Sequence, residues 1–417
     1  MEKNPYIAVI KNHHFRNLWL AQIISQIAFN MLCFILVIRV YQETHSNFAV
    51  SMLLLSFAIP AVIFGVVAGG LVDHFDRRDV LVVCNLLRVF AFMAFFIFSS
   101  NLMLLYLFAV IISFITQAFI PAEAPSIADL VPLENLLPAN SLFTISYYLS
   151  MVFGFVSAGS ALRLFGSPYI YLIMSFFMLV ATAFVYFLPP LKIKKKKVPL
   201  TFTMIGKTIS EGFKFIGKNV RIKQALVLLT FAQVLIMTLS VLAPGFADRV
   251  LEIDLTDSSL LIMGPAVMGL IAGAFLIGIL GKRFYKGFLI LCGILATGFV
   301  LIALSILSGW RIWHLPKFAN LVLTLSCLFS LGLFNSFITV PSSTILQEDT
   351  GGQMRGRIYG VMTSVTGGVS ILPVIFSGIM ADTMGMGITL FVIGFVILAI
   401  GSYKYREINK DVLNRSK

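Results

Sequence analysis

Three amides, Gln22, Gln26 and Asn30, recur at intervals of four within one long apolar run. That interval puts all three on one face of a helix. Amides held among apolar residues do one of two jobs. They line a wet path that solutes follow, or they hydrogen-bond across packed helices at roughly 0.6–2 kcal/mol each. The sequence leaves both open. Charge inside apolar runs is scarcer. Arg88 lies about two turns into its run, and a cation there needs a partner or a route to water. Glu123 stands between Pro121 and Pro125, and Asp129 follows six residues on. A carboxyl group near a cation, in surroundings that change, can bind a proton in one state and release it in another. This is the chemistry of reversible binding. Nothing assembles a nucleophile with a base, and the five histidines lie mainly near the ends of apolar runs, so an enzyme is not expected. The four cysteines have no paired spacing and read as packing residues, and no metal or other cofactor is expected. Gly206-Lys207-Thr208 lacks the earlier glycine of a phosphate loop, because Thr201 stands there, which removes nucleotide binding.

The elements that position these residues follow from composition. The chain has 417 residues, of which 59% are hydrophobic and 12% charged. Soluble domains carry about 25% charged residues, so this is a membrane protein with many crossings. Runs of some 20 apolar residues fall at 15–40, 47–72, 80–98, 102–125, 141–163, 167–188, 222–247, 258–280, 287–308, 317–343, 355–380 and 385–403. The expected fold class is an all-α membrane protein of twelve transmembrane helices. The run 1–188 forms an N-terminal six-helix half. The stretch 189–221 forms a cytoplasmic linker carrying a basic run and an amphipathic segment, Phe202 to Lys218. The run 222–417 forms a C-terminal six-helix half with a short cytoplasmic tail. The first run is too long for the core of a cleavable signal.

Charge orients the spans. The net charge of +13 could suggest nucleic acid, but the cations sit in loops that sort by side. Twenty-five of the 31 Lys and Arg fall on the side of the termini, and only Arg39, Arg163, Arg249, Arg311 and Lys317 fall opposite. The remaining one is Arg88. By the positive-inside rule both termini are cytoplasmic, in a cell membrane. The partners expected are membrane lipid, a small-molecule substrate and protons, for a monomer that binds no nucleic acid. Asp382, Arg163 and Arg39 end their spans and read as interfacial anchors.

The loop between spans two and three reads Gly69-Gly-Leu71-Val-Asp73-His-Phe-Asp76-Arg77-Arg78. It resembles the signature loop of the major facilitator superfamily, with His74 and Asp76 departing from the pattern. Gly278-x-Leu280-Gly281-Lys282-Arg283 echoes it in the second half, as six plus six repeated helices require. The stretch Pro121 to Pro132, then Ala139-Asn140-Ser141-Leu142, is similar to the macrolide-efflux-like branch of that superfamily, the drug:proton antiporters of type 3. Gln347-Glu348 and Arg355 to Gly360 resemble the same branch.

The resemblance implies a secondary active transporter that exports amphipathic small molecules by alternating access, driven by protons. A facilitative permease of the lysophospholipid or siderophore type, and a non-transporting sensor on the same fold, remain the alternatives. It also implies a cavity lined by spans one, four, seven and ten. Gln22, Gln26, Asn30, Gln117, Gln233 and Asn335 are then the substrate-cavity candidates. Gly69, Asp73, Arg77, Arg78, Arg88, Asp129 and Arg355 are the gating candidates. In that gate Asp73 would cap span eleven near Arg355, and Arg77 or Arg78 would pair with Glu123 or Asp129. A static set of loop-tying ion pairs is the other reading of the same residues. Glu123 is the proton-coupling candidate. Glycines in spans five, eight and eleven are expected to pack closely across the halves.

Overall fold

The computed structural model describes residues 5–72, 75–191, 216–217, 219–280, 284–309, 316–349 and 352–415, and for some helical residues, 352–361 among them, the backbone alone. The described residues are helical and contain no strand. A short α1 (Pro5–Lys11) precedes α2 (His13–Thr44), α3 (Asn47–Val72), α4 (Arg77–Ile97), α5 (Leu102–Leu130), α6 (Leu136–Phe165) and α7 (Tyr169–Tyr186). Then come α8 (Val220–Phe246), α9 (Gly264–Leu280), α10 (Lys286–Gly309), α11 (Lys317–Asp349), α12 (Gly352–Thr383) and α13 (Met386–Arg415). The helices α2 to α13 coincide with twelve segments long and apolar enough to cross a membrane, the number the sequence predicts. Most are apolar all round, because lipid and neighbouring helices are equally apolar surroundings.

Polar residues at the junctions start the helices. Asp76 accepts the Arg78 N–H at 2.9 Å at the head of α4. Asn101 accepts the Leu104 N–H at 3.2 Å to start α5, and Asn219 accepts from Arg221 and Ile222 to start α8. Each satisfies N–H groups that a first helical turn leaves free. Several helices run past the expected spans, α5 among them. Span four was expected to end at Pro125, yet α5 runs through Pro121 and Pro125 to Leu130. Each proline removes one backbone donor, and in an apolar setting the helix remains the cheapest way to satisfy the rest.

The chain packs as two compact units. Unit 1 comprises Met1–Val40, Leu53–Glu211 and Thr363–Gly368. Unit 2 comprises Tyr41–Met52, Gly212–Met362 and Val369–Lys417. The tip of the first helical hairpin therefore belongs to unit 2. Inside unit 1, α4 packs on α5 and α7; inside unit 2, α10 packs on α11 and α13. These are spans three, four and six of one half and nine, ten and twelve of the other, so the packing repeats as well as the helix count. An ion pair repeats with it. Arg77 at the head of α4 meets Asp129 near the end of α5 at 2.6 Å. Lys286 at the head of α10 meets Glu348 near the end of α11 at 2.6 Å.

The close glycine contacts of spans five and eight correct an expectation. A Cβ on Gly154 of α6 would fall 2.9 Å from both the Asn30 Cβ and the Ile27 carbonyl of α2. Gly269 and Gly273 of α9 meet the backbone of α11 at Phe329 and Leu333. Each of these contacts lies within one unit. In spans five and eight glycines let helices of the same half approach, whereas in span eleven Gly367 lies against Val62 of α3, which comes from the other half, as expected.

Candidate functional site

The buried charges come together along the seam of α4 and α5. Asn85 and Arg88 lie one turn apart on α4, and Thr116, Phe119 and Glu123 lie at intervals of three and four on α5, so each set occupies one face. Arg88 is 4% exposed and Glu123 8%. The Arg88 guanidinium donates to the Thr116 hydroxyl at 3.0 Å and to the Asn85 Oδ1 at 3.4 Å, and lies 4.3 Å from the centre of the Phe119 ring. Hydroxyl, amide and aromatic face together spread its charge. No ion pair at 4.0 Å or less joins it to Glu123, although each feels the other's charge. Three buried polar atoms on this seam lack a partner: Asn85 Nδ2, Arg88 Nε and Glu123 Oε1. Two donors and one acceptor left over in one seam suit water or a moving proton. Tyr147 of α6 also lies within electrostatic reach of Glu123.

Around the signature loop the structure separates residues that the sequence grouped. Arg77 pairs with Asp129, not with Glu123, and Asp129 is 41% exposed at the surface of unit 1. Arg78 donates through Nε and a terminal nitrogen to the Tyr186 carbonyl at 3.1 and 2.6 Å, and lies over the Tyr186 ring. A cation at the C-terminal carbonyls of α7 also complements the helix dipole. Gly69 is part of α3. Asp73 and the side chain of Arg355 lie outside the described residues. One working residue escaped the sequence. Asp76, read there only as a departure from the pattern, caps α4 and accepts the Leu191 N–H at 3.0 Å. Its place directly before Arg77 and an apolar run was the available signal.

The amide stripe divides. Gln22 is fully engaged between helices: its Nε2 donates to the Phe143 carbonyl at 3.3 Å, and its Oε1 accepts from the Ser146 hydroxyl at 2.9 Å. Trp19 Nε1 donates to the same hydroxyl at 2.9 Å. Gln26 and Asn30 instead bond one another, Asn30 Nδ2 lying 2.7 Å from the Gln26 carbonyl and 3.4 Å from its Oε1. Gln117 reaches only the Ser113 carbonyl of its own helix, at 3.5 Å. In unit 2, Gln233 is exposed on α8. Asn335 is buried on α11, donates to the Ala232 carbonyl at 3.4 Å, and keeps its Oδ1 without a partner.

Asp382 is more than an interfacial anchor. It accepts from the backbone N–H groups of Asn47 and Phe48 at 2.9 and 3.0 Å, from the Ser46 hydroxyl at 2.6 Å and from Asn47 Nδ2 at 2.8 Å.

A family model described as Major Facilitator Superfamily matches residues 18–374. The chain belongs to that superfamily. Its members are transporters and not enzymes. Macrolide efflux protein A of Streptococcus pyogenes is 23% identical over 399 residues, spanning 93% of this chain and 94% of the relative. Enterobactin exporter EntS of Shigella flexneri is 23% identical over 411 residues, spanning 94% and 93%. Uncharacterized MFS-type transporter YfiS of Bacillus subtilis is 24% identical over 372 residues, spanning 88% and 86%. Among solved structures, the nucleoside transporter NupG superposes with a TM-score of 0.70 at 14% identity, over 97% of this chain and 99% of that one. A bacterial homologue of the lysosomal transporter Spinster gives 0.69 at 14%, over 97% of both. The chain is thus a multi-pass membrane transporter with efflux-type relatives.

Proposed function

We propose that this transporter exports amphipathic small molecules by alternating access and that proton exchange at Glu123 drives it. The observation that carries the coupling is the buried carboxylate: one Glu123 oxygen has no partner, and the nearby buried Arg88 also keeps an unpartnered Nε. A closed ion pair would hold the carboxylate charged; an unpartnered oxygen beside unpartnered donors leaves room for a proton to come and go. The relatives support the direction and the substrate class, since their names describe efflux of a macrolide and export of enterobactin. Gln26, Asn30 and Gln117 of unit 1 and Gln233 and Asn335 of unit 2 are proposed to contact the substrate. The gating role proposed for Gly69, Asp73, Arg77, Arg78, Arg88, Asp129 and Arg355 rests on the resemblance of the signature loop. The protein is proposed to act as a monomer in the cell membrane with both termini in the cytoplasm.

The test is Glu123→Gln in proteoliposomes, with a macrolide and enterobactin as the transported probes. Binding of the probe persists and the pH dependence of transport disappears. If the substituted protein keeps the pH profile of the unchanged one, Glu123 does not carry the proton, and the facilitative mechanism takes its place.

A further inference from the structure

The short helix α1 lies outside the twelve spans. It ends at Lys11, and Asn12 turns the chain into α2. The Asn12 Oδ1 accepts the His14 and Phe15 N–H groups at 3.1 and 3.3 Å, and its Nδ2 donates to the Leu130 carbonyl at the end of α5 at 2.8 Å. One side chain therefore fixes the end of α1 against the head of α2 and the tail of α5. Val9, 1% exposed, seats α1 in the apolar cluster that holds Leu130, Val131 and Ala139. The helix packs on α6 and on the turn Leu133–Asn135, all inside unit 1.

The outward face of α1 is apolar and open. Tyr6, Ile7 and Ile10 recur at spacings of three and four, which gathers them on one face, and all three are exposed. Leu133, on the turn that α1 packs against, is 86% exposed. Cations rim the patch: Lys11, His13 and Arg16 are exposed, and Glu134 is the acid that follows Leu133. Depth says what covers it. Helix α2 has 32 residues, about 48 Å at 1.5 Å per residue. A bilayer with its headgroups is about 40–45 Å thick. Asn12 therefore turns the chain at the outer edge of the headgroups, and α1 lies at that level. A tyrosine and aliphatic side chains rimmed by cations match the boundary between the headgroups and acyl chains of an anionic leaflet.

We propose that the outward face of α1, together with Leu133, docks on the anionic lipid leaflet at the side of the chain termini. The apolar side chains enter the acyl boundary, and Lys11 and Arg16 face the lipid phosphates. Through Asn12 the anchor sets the height of α2, the span that carries the amide stripe. This docking goes beyond the efflux reading and does not depend on it.

The test is spin labelling of the full-length chain in lipid nanodiscs, with Cys33, Cys84, Cys292 and Cys327 replaced by alanine. Labels go at Ile7→Cys and Leu133→Cys, and at Asp254→Cys, an exposed loop position that serves as the reference for water. Collisions with oxygen, which concentrates among acyl chains, are compared with collisions with a water-soluble nickel chelate. In discs of phosphatidylcholine and phosphatidylglycerol, the oxygen-to-nickel ratio at Ile7 and Leu133 is several-fold above that at Asp254. Omitting phosphatidylglycerol lowers it several-fold, and so does Lys11→Gln with Arg16→Gln when that lipid is present. Should Ile7→Cys fail to fold, Ile10→Cys reads the same face. Ratios at Ile7 and Leu133 equal to that at Asp254 place the patch in water and overturn the docking. Labels shielded from both reagents overturn it too, since protein then covers the patch. A ratio indifferent to phosphatidylglycerol and to the two cations overturns the anionic partner. No solute is added, so failure here leaves the efflux reading standing, and failure of that reading leaves this result unaffected.

Discussion

Among single residues, burial and satisfaction separate the working groups from the structural ones. Gln22 and Gln26 share a stripe, yet Gln22 has both ends of its amide bonded to α6, while the Gln26 amide oxygen meets only Asn30 one turn away. Gln22→Leu removes two interhelical bonds worth roughly 0.6–2 kcal/mol each and leaves the Ser146 hydroxyl to the Phe143 carbonyl and Trp19 alone. It should lower the yield of folded protein and its thermal midpoint. Gln26→Leu should leave both unchanged and weaken binding of a macrolide probe, read by tryptophan quenching. Equal losses of folded protein in the two variants would assign the whole stripe to packing. The Arg77–Asp129 pair, proposed to act in gating, adds little to stability. It is short but partly exposed, and exposed pairs contribute about 0–1 kcal/mol. Glu123, buried with an oxygen to spare, is the residue whose environment most needs a function to explain it.

Among helices, close approach decides what can change. The Gly154 site leaves no room for a side chain against Asn30 and Ile27, so Gly154→Val should push α6 from α2 and cost about 1–3 kcal/mol. A fall in the unfolding midpoint of the purified protein, larger than for Gly154→Ala, is the expected result. Equal midpoints for Val, Ala and Gly would show that the helices are looser than the contact implies. The twelve helices themselves were legible in the sequence, because in a bilayer length and hydropathy alone fix a span. Their partners were not. The glycines announced close packing but not with which helix, since a smooth face fits any neighbour: those of spans five and eight meet helices of their own half, whereas Gly367 of span eleven meets α3 of the other. The end of α5 was misread because proline ends helices in water, where freed carbonyls find solvent, and not where they have nowhere else to go. Asp76 and Asp382 illustrate the same limit. An acid at the end of an apolar run is visible in sequence, but the helix N-terminus it serves can lie hundreds of residues away, as Asn47 does from Asp382.

For the molecule as a whole, charge and coupling remain to be joined to the fold. The uneven distribution of Lys and Arg predicts that 189–221 faces the cytoplasm. A cysteine at Lys195 should resist membrane-impermeant reagents added to intact cells, while one at Asp254 should react. Labelling of Lys195 from outside would reverse the topology. The repeated packing of α4 on α7 and α10 on α13 gives the two halves a common plan, yet Arg88 and Glu123 in unit 1 have no charged counterparts at the matching seam of α10 and α11. That asymmetry is why the coupling is placed in unit 1. The most direct test is proton flux in proteoliposomes of the full-length chain, followed with a pH-sensitive dye inside the vesicles as a macrolide or enterobactin is added. Addition should move protons against the flow of the probe, and Glu123→Gln should silence the proton signal while the probe still binds. Probe movement with no proton flux in the unchanged protein would contradict proton-driven export.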